Sequence, residues 1–378
     1  MQVSSLVQLI EQASAKPILD AVPTEDRGLA EQLPYPFMAL VGQLEMKTAL
    51  LLTLINPAVN GVLLIGPRGT GKTTAVRSLT DLLPLIPRSL CNYGCTEEDI
   101  RSEGIDGVCE NCAKKFGMGE PLTRMEPVAI VELPLNARLE DVVGGLDERA
   151  AMRQRTMLHR GILARADNNL LYVDEVNLLS DEIVDAILDA AAQGQYTLKR
   201  GPVAATFRAR FALIGSMNPE EGRLRPQMTD RFGLRLIVRG LAAPAERLHA
   251  YQCVRAYLTN PRAFIAAYAD QTLLARDEIQ NARNMLPMVK LADSAEKAGL
   301  ELVQRMKIDS LRAEITMFEA ARAYAAADGR AEATTADVKA VASSALRLRR
   351  SKFMEDYFHA QQGEEEEIAG VINAVIPE

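Results

Sequence analysis

Gly66-Pro-Arg-Gly-Thr-Gly-Lys-Thr73 is the stretch on which the reading of this chain turns. It follows the pattern G-x-x-x-x-G-K-[ST]. Its flanks are the ones that pattern needs: an apolar run, Gly61-Val-Leu-Leu-Ile65, before it and a helix-competent run, Thr74-Ala-Val-Arg-Ser-Leu79, after it. Glycines let the backbone wrap closely around a phosphate, and the N–H groups of the following helix start point at it. Gly66, Pro67, Arg68, Gly69, Thr70, Gly71, Lys72, Thr73 and Thr74 are therefore the expected nucleotide-binding loop. Lys72 is expected to reach the β- and γ-phosphates of ATP, and Thr73 to ligate Mg²⁺. The plainer reading, an ordinary glycine-rich strand–helix turn, is weakened by the partner motifs downstream.

Leu170-Leu-Tyr-Val-Asp-Glu175 is four apolar residues followed by two carboxylates. The apolar run suits a buried parallel strand, whose C-terminal end is where open α/β sheets bind ligands. Asp174 is expected to hold the Mg²⁺, directly or through water, and Glu175 to act as general base on the attacking water. Ile214-Gly-Ser-Met-Asn218 is another strand ending in a polar residue, and Asn218 there can orient the same water. Capping of the Asn218-Pro219 turn is the commoner role for such an Asn. In Asp230-Arg-Phe-Gly233, Arg231 reads either as a surface ion pair of little energetic weight or as an arginine finger given to a neighbour's γ-phosphate.

The chain of 378 residues has 48% hydrophobic and 25% charged residues, ordinary values for a water-soluble globular protein with two or three domains. No apolar run reaches the roughly 18 residues of a membrane span. The acidic first 30 residues match neither a secretory signal nor a transit peptide, so a cytoplasmic location is expected. A net charge of −7, no Trp and 5% aromatic content argue against broad nucleic-acid binding. Val62 to Ile65, Val128 to Leu133, Leu170 to Val173 and Leu234 to Val238 read as strands. Gln195 to Val203 and Thr206 to Ile214 read as a hairpin whose second arm runs on into a strand. Gln43 to Ile55 and Ile183 to Ala192 read as helices, as does a short Val3 to Ile10. From Ala245 to Arg350 only helical periodicity remains, so the fold class is α/β, a P-loop parallel-sheet core followed by an all-α region.

Four of the five cysteines fall close together as Cys91-x3-Cys95-x13-Cys109-x2-Cys112, inside a segment of mixed composition that looks inserted. Four thiolates at such spacing can build a tetrahedral Zn²⁺ site. A redox-active disulfide pair, free thiols and a Cys₄ iron–sulfur cluster are the alternatives. Cys253 stands alone and reads as a small core hydrophobe. His159, His249 and His359 are widely separated, and no HExxH occurs.

GPRGTGKT, LLYVDEVNLL, Gly215-Ser-Met-Asn-Pro-Glu-Glu-Gly-Arg-Leu-Arg-Pro-Gln227 and Asp230-Arg-Phe-Gly233 together resemble the AAA+ ATPase subunit I of magnesium chelatases. The opening Phe37-Met-Ala-Leu-Val-Gly-Gln43 is similar too, and the likeness covers roughly residues 35–350. The resemblance implies an AAA+ core followed by a helical lid, assembled as an ATP-dependent ring, a hexamer, with the chelatase subunits D and H as partners. It implies Mg²⁺ insertion into protoporphyrin IX on the large H component, with no nucleic acid and no membrane. By motif position it makes Asn218 the sensor 1 residue, Arg231 the arginine finger and Arg312, in Ser310-Leu-Arg-Ala-Glu314, the sensor 2 arginine.

On this reading the chain divides into an N-terminal segment 1–34, an ATPase core 35–240, a helical linker 241–285, a helical lid 286–350 and an acidic tail 351–378. The core carries a cysteine insertion at 88–126 and a helix-2 insertion at 144–166. The cysteine pattern departs from the family's better-known members. The competing readings are a MoxR-like AAA+ chaperone, a cobalt-chelatase motor and a nucleic-acid motor of the minichromosome-maintenance kind. For the last, Arg149, Arg153, Arg155, Arg160 and Arg165 would contact phosphates.

Overall fold

The structure is a computed structural model, which describes residues 33–83, 85–91, 93–146, 158–200 and 203–350. The expected helix at Val3 to Ile10, the acidic tail, and Arg149, Arg153 and Arg155 lie outside the described residues.

The first described helix, α1 (Leu44–Ile55), leads to β1 (Val62–Ile65), the P-loop and the short α2 (Lys72–Arg77). A two-stranded antiparallel ribbon follows, β2 (Leu85–Ser89) with β3 (Thr123–Pro127), and between its arms lie α3 (Glu97–Glu103) and α4 (Glu110–Gly117). The expected strand at Val128 to Leu133 is shorter, β4 (Ile130–Leu133), because Ala129 N–H is taken by the Asn169 side chain at 2.9 Å. Next come α5 (Leu139–Val143), the antiparallel pair β5 (Gly144–Leu146) and β6 (Leu158–Arg160), α6 (Ile162–Arg165), β7 (Leu170–Val173) and α7 (Asp181–Gln193).

The hairpin β8 (Gln195–Arg200) and β9 (Val203–Arg208) is present, but its second arm does not run on into a strand. Ala209 N–H turns back to Gly194 O at 2.8 Å, and β10 (Ala212–Met217) starts afresh. The α/β part closes with α8 (Pro226–Arg231) and β11 (Leu234–Ile237).

The five core strands are parallel and ordered β11-β1-β10-β7-β4. β1, β7 and β10 are buried along their whole length, which is why their sequences are continuous apolar runs rather than alternating ones. Successive side chains still go to opposite faces. Val62 and Leu64 join the core shared with α1, while Leu63 and Ile65 join the core under α7.

Helices α9 (Pro244–Thr259), α10 (Pro261–Ala267) and α11 (Ala269–Met285) follow the sheet. The short strand β12 (Lys290–Leu291), α12 (Asp293–Arg305), α13 (Arg312–Ala327), β13 (Glu332–Ala333) and α14 (Thr335–Leu346) complete this helical region, which differs from the all-α expectation only in the two-residue parallel pair of β12 with β13. Ala275, Ile279 and Ala282 of α11 and Met317 and Ala320 of α13 belong to the same apolar cluster as Leu50 of α1. Small alanine side chains let α13 come close to its neighbours. The helical region is thus built onto one face of the sheet domain. Cys253 is fully buried there, as its lone position suggested.

Candidate nucleotide site

Sheet register assembles the site. Ile65 at the end of β1 lies opposite Met217 of β10, so the chain enters the P-loop beside Asn218. Val173 at the end of β7 lies opposite Gly215 of β10, so Asp174 emerges beside Ser216. The two motifs and Asn218 are distant in sequence, and the non-sequential strand order makes them neighbours at the C-terminal ends of the three central strands. They line a cleft of about 310 Å³ that includes residues 68–74, Asp174, Glu175, Ser216, Met217 and Asn218.

The loop itself is shaped for close approach. Gly69 and Gly71 have φ of +75° and +84°, which only glycine adopts at low cost, and open space surrounds the position of a Cβ at both. Lys72 Nζ donates to the carbonyls of Gly66 and Pro67 at 2.7 and 2.8 Å. Burial pushes the Lys72 ammonium below its ordinary pKa, and Asp174, Glu175 and Glu221 partly offset this. Thr73 Oγ1 donates to Asp174 Oδ2 at 3.2 Å, so the two expected Mg²⁺ ligands already meet. This oxygen pair at the foot of a phosphate-sized loop fits a hard cation and a polyphosphate.

Glu175 has φ of +51°, a left-handed conformation that costs a non-glycine residue about 1 kcal/mol or more. Its N–H is met by Ser216 Oγ at 3.2 Å. Its carboxylate faces Arg68 Nη2 at 3.5 Å, and Arg68 Nε also reaches Glu221 Oε1 at 2.5 Å. Asn218 Nδ2 donates to the same Glu221 oxygen at 3.1 Å, which links Asn218 and Glu175 through Glu221 and Arg68.

Four residues join the site that the motifs alone did not single out. Ser216 donates to Asp174 Oδ1, and Tyr172 OH lies 2.9 Å from that oxygen and 3.2 Å from Thr73 Oγ1. Glu221 bridges as described, and Asn177 Nδ2 donates to the Asn218 carbonyl at 3.3 Å. Tyr172 and Ser216 stand two positions before Asp174 and Asn218 on buried strands, so the strand period was the available signal.

Family models match residues 143–236 as an MCM P-loop domain and residues 300–369 as an AAA lid domain. A magnesium-chelatase subunit ChlI homolog of Methanocaldococcus jannaschii is 41% identical over 326 residues, 85% of this chain and 87% of that relative. The magnesium-chelatase 38 kDa subunit of Cereibacter sphaeroides is 40% identical over 320 residues, 84% of this chain and 93% of that relative. The chain belongs to the magnesium-chelatase subunit I family. It is also similar to a chain in the solved complex between BchI and BchD of magnesium chelatase, at 36% identity, with 86% of this chain and 99% of that chain covered and a TM-score of 0.47. As a subunit I chain it is an AAA+ P-loop ATPase with a helical lid, and such ATPases use ATP and Mg²⁺.

In this subunit I chain, two expected site residues stand apart from the cleft. Arg231 is paired with Asp189 of α7 and is not among the residues that line the cleft. Arg312 lies at the start of α13, half exposed, with Nη1 3.2 Å from Asp230 Oδ2. By motif position Arg312 is the sensor 2 arginine, and it does not line the cleft of its own chain. Instead it meets Asp230, the residue next to Arg231, so both candidate arginines gather around the Asp230–Arg231 corner.

Asp230 is a hub. Its Oδ1 accepts from Arg235 Nη2 at 3.2 Å and Arg349 Nη1 at 2.8 Å, and its Oδ2 accepts from Ser310 Oγ at 2.9 Å. Burial alone would raise its carboxyl, but the Ser310 hydroxyl, Arg349 and Arg235 outweigh it and hold it below the ordinary range.

The four clustered cysteines converge in the segment between β2 and β3, and none of them lines the cleft. Cys109 N-caps α4 and Cys112 lies in its first turn. The Cys95 thiol holds Cys91 far below an ordinary thiol, while the same bond and burial push Cys95 up. Of the basic residues considered for phosphate contact, Arg160 and Arg165 are described. Arg160 donates to the Ala164 carbonyl at 2.8 Å, and both line a cavity with Glu132 and Asp167. No helix among the described residues is long and apolar enough to cross a membrane.

Proposed function

We propose that this chain is the ATP-hydrolysing motor subunit of a magnesium chelatase, driving insertion of Mg²⁺ into protoporphyrin IX in chlorophyll or bacteriochlorophyll synthesis. The observation that carries the reading is the meeting of Thr73, Asp174 and Glu175 in one cleft, in a chain akin to chelatase subunits over most of its length. Residues 35–240 form the ATPase core and 286–350 the lid.

Lys72 exchanges its two carbonyl partners for the β- and γ-phosphates of ATP, and Thr73 and Asp174 hold the nucleotide's Mg²⁺. That ion offsets phosphate charge when bound. Tyr172 and Ser216 keep Asp174 aimed at Thr73. Glu175 takes the proton of the attacking water once Arg68 releases it. Asn218 positions Glu221 and the water. Arg231 and Arg312 lie outside their own chain's cleft, and this favours a ring, a hexamer, in which they complete a neighbour's site and stabilise transition-state charge. The D component of the chelatase joins this ring. The porphyrin is held on the large H component, which matches the dispersed histidines here. Beside ATP and Mg²⁺, the reading includes a Zn²⁺ at Cys91, Cys95, Cys109 and Cys112, with no part in hydrolysis.

The test is a reconstituted insertion assay with this chain, its D and H partners, ATP and protoporphyrin IX. Insertion that disappears with Lys72→Ala is the expected result. ATP hydrolysis without insertion would move the chain to another remodelling task, such as cobalt chelation or chaperoning.

A further inference from the structure

The Sγ atoms of Cys91, Cys95, Cys109 and Cys112 all lie within 4.8 Å of one another. One tetrahedral ion with Zn–S bonds of about 2.3 Å sets its sulfurs about 3.8 Å apart. A cluster of two or four irons holds its terminal thiolates apart by the width of the cluster, so the spacing suits a single ion. Backbone N–H groups already face two of the sulfurs, Tyr93 N to Cys91 Sγ at 3.2 Å and Cys109 N to Cys95 Sγ at 3.3 Å. Such bonds stabilise thiolate charge and orient ligands.

The segment has little else to hold it. Its apolar cluster is Cys95, Cys112 and Leu122, with Cys91, Ile100, Val108 and Cys109 half buried around them. Four of these seven residues are the cysteines themselves. A unit with so few buried carbons needs a staple.

The staple has a mechanical consequence, because the unit is docked on the β8–β9 hairpin by charge. Asp99 of α3 lies four positions after Cys95 and is nearly inaccessible. One of its oxygens caps Thr96, accepting from N at 2.7 Å and Oγ1 at 2.8 Å. The other accepts from Arg208 at the end of β9 and stands 3.5 Å from Arg210 Nη1. Arg208 Nη2 also donates to the Gly107 carbonyl at 3.1 Å, close in sequence to Cys109, and Tyr93 stacks on Phe207 at 5.7 Å.

We propose that the four thiols bind one structural Zn²⁺, and that this ion holds Asp99, Gly107 and Tyr93 where they clamp the base of the β8–β9 hairpin. The proposal deepens the zinc element of the functional reading. It needs neither ATP nor porphyrin, so it stands or falls apart from the chelatase assignment.

The test uses the full chain, purified without a tag in chelator-washed buffer from medium supplied with zinc and iron. About one zinc per chain is expected. Replacement of that zinc by Co²⁺ should give the visible absorption of tetrahedral thiolate-bound cobalt. Cys109→Ser/Cys112→Ser should lose the metal, and hydrogen exchange in residues 195–208 should accelerate at least about tenfold. Arg208→Ala should keep the metal yet loosen the same hairpin, which separates the clamp from general unfolding, checked by circular dichroism.

Under about half an equivalent of zinc, with the four clustered thiols reactive, would overturn the site. So would stoichiometric iron in place of zinc, or disulfides among the four cysteines. Unchanged exchange in 195–208 in both variants would overturn the clamp.

Discussion

Replacing Asp230 by Asn tests the weld between the helical region and the ATPase core. The carboxylate meets Arg235 and Arg349, whose side chains are both 0% exposed, and Arg312, which is 53% exposed. Asn keeps one acceptor but presents donors to donors and removes the only carboxylate in ion-pair reach of the buried pair among the described residues. Breaking a buried ionic network by removing one partner costs about 3–5 kcal/mol. Arg349 retains Ala345 O at 2.6 Å and Gly233 O at 3.0 Å, and Arg235 retains Arg347 O at 3.0 Å. These carbonyls place the expected loss near the lower end, about 3 kcal/mol.

The chain has no Trp, so urea unfolding is best followed by circular dichroism, with calorimetry as a check on two-state behaviour. Arg312→Ala is the control and should cost at most about 1 kcal/mol, because that pair faces solvent. The folded carboxyl lies below its ordinary value of 3.8. Its contribution is therefore fully present above that pH and is lost as pH falls through the lower, folded value. The gap between wild type and Asp230→Asn should be flat from neutral pH down to mildly acid conditions and should close only below about pH 4. A loss under about 1 kcal/mol at neutral pH, or a gap that already closes near pH 6, would refute the reasoning.

Three further outcomes are expected. Glu175→Gln should bind ATP normally while hydrolysis falls by about 10²–10⁴-fold, and near-normal turnover would remove Glu175 as the base. Arg231→Ala should assemble yet lose about 10³-fold or more in turnover, and mixing it with wild type should depress activity below the linear average. Strict additivity in that mixture would argue against shared sites. Arg68→Ala should leave stability within about 1 kcal/mol, since the side chain is 72% exposed, and should raise basal hydrolysis by freeing Glu175. A fall in hydrolysis would instead make Arg68 a phosphate contact.

What the sequence alone determined is what chemistry is encoded within one element and its turn. The apolar runs at 62–65 and 170–173, the glycine spacing of 66–73 and the paired acids at 174–175 are local patterns. Burial on both faces and a tight phosphate loop leave few other residue choices. The strand ending in Asn218 was readable for the same reason. Strand order was not, since β10 must slip between β1 and β7 before Ser216 can reach Asp174.

Arg312 shows the limit most clearly. Motif position named it the sensor 2 arginine, but not that packing of α13 on α1 would set its start beside Asp230. The four cysteines announced a cluster, but not that their sulfurs would converge tightly enough for one ion, nor that Asp99 would bind Arg208 across 109 positions. Such contacts join segments far apart in the chain. Their geometry is decided by how helices and sheets fill a common core, and no local periodicity records that.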